Sequence, residues 1–137
     1  MTNIDIDTTT ATSIAAWLSV RNGMKAVEFY KLAFGAVETY RLEMPDGGLV
    51  VKLSIDKTDF WVSAESATDT NSDPESLGGG TIRMILTVAD PDAVFEQALK
   101  AGATQIFAVG EAHGWRLGRM VDPFGLHWEI GRPLNKK

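Results

Sequence analysis

Two histidines and no cysteine bound the chemistry that this 137-residue chain can offer. Without a thiol there is no disulfide framework, no thiolate metal site and no cysteine nucleophile. The juxtaposition that remains is His127 with Glu129, two residues apart. In a strand, residues two apart project from the same face, so these side chains can act together. Imidazole and carboxylate are both ligands for a divalent metal, and a carboxylate can instead orient an imidazole as a proton-transfer couple. The competing structural reading makes His127 a hydrogen-bonded residue beside Trp128, which is the commoner fate of such a histidine. His113 stands in the polar stretch Glu111 to Gly114, where loop residues are mostly solvated. Gly78-Gly79-Gly80 lacks the spacing and following helix of a phosphate-binding loop. No serine-hydrolase signature or carboxylate dyad accompanies these residues.

The elements that must hold such residues follow from periodicity. Ile14 to Val20 alternates as a strand, with Ala16, Leu18 and Val20 on one face and Ala15, Trp17 and Ser19 on the other. Asn22 is placed to cap a helix over Met24 to Phe34, whose apolar residues Ala26, Val27, Tyr30, Ala33 and Phe34 fall on one stripe and which Gly35 ends. Strands are expected over Val37 to Glu43, Leu49 to Ile55 and Phe60 to Glu65, the first two joined by the turn Pro45-Asp46-Gly47-Gly48. The polar, glycine-containing stretch Ser66 to Gly80 reads as a linker. Beyond it come a strand over Thr81 to Val88, a helix opened by Asp90-Pro91 and ended by Gly102, and strands over Thr104 to Val109, Trp115 to Val121 and His127 to Ile130.

The second half therefore repeats the first. Leu18 and Val20 correspond to Leu86 and Val88, 68 residues on, and Phe60-Trp61-Val62 corresponds to His127-Trp128-Glu129 at an offset of 67. Each copy contains one strand, one helix and three strands. A period this long is not that of a solenoid, so it marks a duplicated half-domain.

The duplication, together with Val27-Glu28-Phe29-Tyr30-Lys31-Leu32-Ala33-Phe34-Gly35-Ala36, Met44-Pro45-Asp46-Gly47 and Gly118-Arg119-Met120-Val121-Asp122-Pro123-Phe124-Gly125, resembles the vicinal oxygen chelate superfamily. That superfamily includes glyoxalase I, extradiol dioxygenases and bleomycin resistance proteins, and the motifs look most like its PhnB-like branch. The resemblance implies an α+β fold in which two βαβββ modules curve into an incomplete barrel around a cavity, commonly as a homodimer. It places module one at residues 14–65, the linker at 66–80 and module two at 81–133, with tails at 1–13 and 134–137.

In metal-dependent members the ligands are His, Glu or Gln from the first and last strands of each copy. The expected slots here are Ala15, Val62, Arg83 and Glu129, of which Glu129 alone can ligate. An arginine is always protonated and repels a cation. Arg83 is expected to neutralise Glu129, or to grip a carboxylate or phosphate of a ligand. Trp17 and Phe60 are expected to wall the cavity, whereas Trp61 and Trp128 are expected to pack beneath the helices. Trp115 and Arg116 stand where a strand enters and could close a pocket.

A net charge of −5 argues against nucleic acid as partner. No apolar run approaches a membrane span, and the polar start lacks a secretory signal, so a cytoplasmic location is expected. The leading expectation is a small-molecule-binding protein of the bleomycin resistance type, without metal or other cofactor, using Trp17, Phe60, Arg83, His127 and Glu129. The alternative is a metal-dependent lyase, isomerase or dioxygenase similar to glyoxalase I, with Glu129 and His127 as ligands. Whether the chain is an enzyme, or mainly a dimer-forming module, is open at this point.

Overall fold

The computed structural model describes residues 9–64 and 73–134. Residues 1–8 of the expected tail, residues 66–72 of the expected linker with Glu65 before it, and residues 135–137 lie outside the described residues. The elements are β1 (Trp17–Val20), α1 (Gly23–Phe34), β2 (Val37–Glu43), β3 (Leu49–Ile55), β4 (Thr58–Ala64), α2 (Pro74–Leu77), β5 (Arg83–Thr87), α3 (Pro91–Ala101), β6 (Thr104–Ala112), β7 (Trp115–Val121) and β8 (His127–Pro133). They form two four-stranded sheets, ordered β1-β4-β3-β2 and β5-β8-β7-β6. In each, the first strand runs parallel to the last and the other pairings are antiparallel. Among the described residues the fold is α+β with two open mixed sheets and no closed barrel.

Local chemistry explains the helix boundaries. The Asn22 side chain accepts from the Lys25 amide, and Gly35 closes α1 in the left-handed region at φ 68°. Asp90 accepts from the Ala93 amide with Pro91 in the first turn of α3. The same Asp-Pro device, Asp73-Pro74, starts the single turn α2 inside the stretch expected to be an irregular linker. Strands expected to begin at Ile14 and Thr81 begin instead at Trp17 and Arg83, and β8 runs on to Pro133. The hairpin turns Asp56-Lys57 and His113-Gly114 have positive φ at both residues, the backbone twist that suits a two-residue connection between twisted strands.

Both sheets turn one face to a common core. Leu18, Val20, Val51, Leu53, Phe60 and Val62 of the first sheet and Met120, Trp128 and Ile130 of the second are buried there with the apolar stripes of α1 and α3. Tyr30 lies at the junction, its ring 5.4 Å from Phe60 and 5.5 Å from Trp128, which are themselves 5.8 Å apart. Its hydroxyl donates to Asp122 at 2.6 Å. Asp122 also accepts from the Trp128 indole and from the amides of Phe124 and Leu126, which shapes the turn leading into β8. Burial pushes the Asp122 carboxyl up, opposed by these hydrogen bonds. Burial, and then the neighbouring Asp122, also raise the Tyr30 hydroxyl. Gly118 is required by close approach: a Cβ there would stand 2.8 Å from the Val109 nitrogen and 2.9 Å from the Phe95 ring. No helix among the described residues is long and apolar enough to cross a membrane.

Candidate functional site

The sheet faces turned away from the core carry the chemistry. On the first, a row crosses all four strands: Tyr40 pairs with Lys52, Lys52 with Trp61, and Trp61 with Trp17. Strand alternation sends these side chains to the face opposite Val62 and Leu18. The Trp17 and Trp61 rings stack at 5.7 Å and 18°. Tyr40 meets Trp61 edge-on at 5.8 Å, and the Lys52 ammonium lies 5.3 Å from the Trp61 ring. The Trp17 indole donates to the Ser63 hydroxyl at 2.8 Å, fixing the ring although Trp17 is 49% exposed. The result is a preorganised aromatic platform with a cation set into the row between Tyr40 and Trp61.

The second sheet repeats the row with different chemistry. Phe107 pairs with Arg119, Arg119 with Glu129, and Glu129 with Ile85. Arg119 donates to Glu129 Oε2 from Nε at 3.1 Å and from Nη2 at 2.6 Å, with its guanidinium 5.5 Å from the Phe107 ring. Arg83, one alternation before Ile85, brings its Nε to 2.8 Å from the same oxygen. His127 pairs with Arg83 across the strands and shares this face. Arg83, Arg119 and His127 border a pocket of about 210 Å³ together with Thr81 and Gly125. A crevice of about 320 Å³ adjoins it through Gly80, Thr81 and Ile82 and is walled by Trp17, Leu77 and Leu126.

Several expected positions are corrected by strand register. Trp17↔Trp61 and Ile85↔Glu129 are corresponding pairs, so Trp61 answers Glu129 at an offset of 68 and Phe60 answers Trp128. The alignment at 67 is one residue off, and a one-residue slip exchanges the two faces. Phe60 is therefore not a wall of the open face but lies in the core at 4% exposure. Trp61, expected beneath the helices, is on the open face, and the slot assigned to Val62 belongs to Trp61. Trp128 is in the core as expected. Arg83 and Glu129 form the expected ion pair. Arg116 turns toward α3, donating to Asp92 at 2.7 Å, while His113 is an exposed turn residue.

Arg119 was missed as a site residue, although it stands in a motif that marks the fold; its position opposite Glu129 depends on the β7–β8 register. With Trp61 and Arg83 at two slots and the Glu129 oxygen held by two guanidiniums, the donor set does not fit a divalent cation. Among the described residues no three His, Asp or Glu side chains are grouped to hold one.

The arrangement of two βαβββ modules with divergent open faces defines a class of scaffold, and comparison with known proteins places the chain within it. Residues 15–130 match the model of the glyoxalase-like domain, and the chain belongs to that family. An uncharacterized protein of Mycobacterium tuberculosis (strain H37Rv) is 36% identical over 129 residues, covering 90% of this chain and 76% of the relative. Among solved structures, the At5g48480 gene product of Arabidopsis thaliana superposes with a TM-score of 0.70 at 26% identity, over 90% of this chain and 100% of that one. A glyoxalase/bleomycin resistance protein/dioxygenase family enzyme of Burkholderia phytofirmans gives 0.68 at 20% identity, over 88% and 97%. This last likeness is one of fold.

Proposed function

We propose that the chain is a small-molecule-binding protein of the glyoxalase/bleomycin resistance type that works as a homodimer without the superfamily's metal. The observation that carries this reading is the contrast at corresponding strand positions: Trp61 is stacked on Trp17, whereas Glu129 is held by Arg83 and Arg119. A fixed indole pair offers a flat apolar surface to a ring or alkyl ligand. Because the Trp17 indole N–H is already satisfied by Ser63, docking against its ring leaves no polar group stranded. Glu129 engaged by two guanidiniums has little to offer a cation that must displace both. Trp17, Tyr40, Leu42, Ile85 and Phe107 leave apolar surface exposed on the two faces, which supports closure by a second copy. The motif set supports a PhnB-like affiliation within the superfamily.

Purified protein exposed to Mn, Fe, Ni and Zn and then dialysed is expected to retain no stoichiometric metal. An aromatic probe such as benzamide is expected to quench tryptophan fluorescence in the wild type and to lose this effect in Trp17→Ala. Stoichiometric metal that disappears in Glu129→Ala would overturn the metal-free reading in favour of a lyase, isomerase or dioxygenase similar to glyoxalase I.

A further inference from the structure

The ion cluster on the second sheet carries more positive charge than its carboxylate requires. Arg119 alone donates to Glu129 Oε2 through two nitrogens. Arg83 converges on the same oxygen, so two guanidiniums are held close together. Among the described residues, no carboxylate other than Glu129 pairs with either arginine. The Arg83 side chain is 53% exposed and that of Glu129 only 13%, so a second ion pair at such an exposed cation adds little stability. It also brings two like charges together. The first sheet has the counterpart of Arg119 in Lys52 but none of Arg83, because the corresponding position there is Ala15.

The surplus charge faces a defined space. The pocket of about 210 Å³ is bordered by Arg83, Arg119, His127, Thr81 and Gly125, and among the described residues no carboxylate lines it. Its size suits a head group rather than a whole drug-sized ligand. A guanidinium presents several N–H donors in a planar fork that matches the oxygens of a carboxylate or phosphoryl group. The Phe107 ring, 5.5 Å from the Arg119 guanidinium, flanks one fork.

We infer that this pocket is an oxyanion-binding site, so that the ligand is a small organic anion whose carboxylate or phosphoryl group sits between Arg83 and Arg119. The inference rests on the ligand-binding reading above and names the ligand's charge and head group. In the bound state the anion relieves the repulsion between the two guanidiniums, and Glu129 serves as a positioning residue that holds both. The adjoining crevice walled by Trp17, Leu77 and Leu126 provides apolar surface beside the head group.

The test titrates the isotope-labelled full chain with inorganic phosphate, benzoate and neutral benzamide, following amide shifts at 80–83 and 125–127 together with tryptophan fluorescence. Phosphate and benzoate are expected to move those amides. Arg83→Gln is expected to weaken both at least tenfold, Arg83→Lys to recover part of the loss, and benzamide to bind all three proteins alike. Far-ultraviolet circular dichroism checks that the variants fold, and the lysine variant keeps the test valid if the glutamine variant does not. Phosphate moving the amides without benzoate restricts the site to phosphoryl groups, and the reverse restricts it to carboxylates; either result supports the inference. Binding of both anions unchanged in Arg83→Gln, or no shift at these amides with either, overturns it. Benzamide binding without anion binding leaves the apolar-ligand reading standing alone. Arg83-dependent anion binding without benzamide binding does the opposite.

Discussion

The open faces of the two sheets use the same four-strand row for different ends. Tyr40, Lys52, Trp61 and Trp17 cross the first sheet where Phe107, Arg119, Glu129 and Ile85 cross the second. The aromatic on the edge strand, β2 or β6, and the cation beside it appear in both copies. At the next position the first sheet carries an indole where the second carries a carboxylate, so Lys52 lies by the ring of Trp61 and pairs with Asp59 on the same sheet, whereas Arg119 is bonded directly to Glu129 in the row. The inward faces did not diverge in this way. Phe60 and Trp128 meet across Tyr30, and Val62 and Ile130 are both fully buried. Core positions must fill a close-packed volume, whereas an open face is limited mainly by what it binds.

If that contrast holds, inward-facing substitutions should have the largest effect on stability. Phe60→Ala and Trp128→Ala are each expected to destabilise the chain by about 3–5 kcal/mol in urea unfolding. Because both rings contact Tyr30, they should be coupled, so the double variant loses less than the two single losses added together. Strict additivity would break the picture of one core shared by the modules.

A smaller effect is expected from the second open face. Double-mutant cycles should give a coupling of about 1–2 kcal/mol between Arg119 and Glu129, and about 0.5 kcal/mol or less between the half-exposed Arg83 and Glu129. Equal couplings would make Arg83 a structural partner and remove the asymmetry on which its ligand role depends. Measurements in low and high salt sharpen the distinction, since the more exposed pair should be screened more.

The smallest effect belongs to the rim of the first sheet. Arg41 donates to both oxygens of Glu38, and this hydrogen bonding holds the Glu38 carboxyl below its ordinary 4.5. A carboxyl depressed in the folded state adds stability above its unfolded pKa and loses it as pH falls through the lower folded value. Glu38→Gln should therefore flatten the stability profile below about pH 4.5 by a few tenths of a kcal/mol, and leave its slope near neutrality unchanged. A change of slope near pH 7 would assign the effect to another group.

Much of the scaffold was legible along the chain. Asn22 and Gly35 bracket α1, and Asp90-Pro91 opens α3, because capping acts between residues close in sequence. The turn α2 carried the same Asp-Pro signal, but the polar composition around it masked a helix of one turn. The candidate site was legible only in part. Trp17, Arg83, His127 and Glu129 fall on the open faces, but Phe60 and Trp61 exchange roles. Both are aromatic in adjacent positions, so neither hydrophobicity nor alternation distinguishes the inward one. Arg119 was hidden because its partner lies on the neighbouring strand.

The sequence by itself determined the duplicated order of strands and helices, their caps, and the absence of thiol chemistry, since periodicity, capping and composition are local properties. Only the tertiary structure decided which of Phe60 and Trp61 faces outward, that Arg119 joins Arg83 on one oxygen of Glu129, and that their surplus charge opens onto a pocket. Those outcomes depend on the register between strands distant in the chain, where a shift of one residue turns every side chain to the other face.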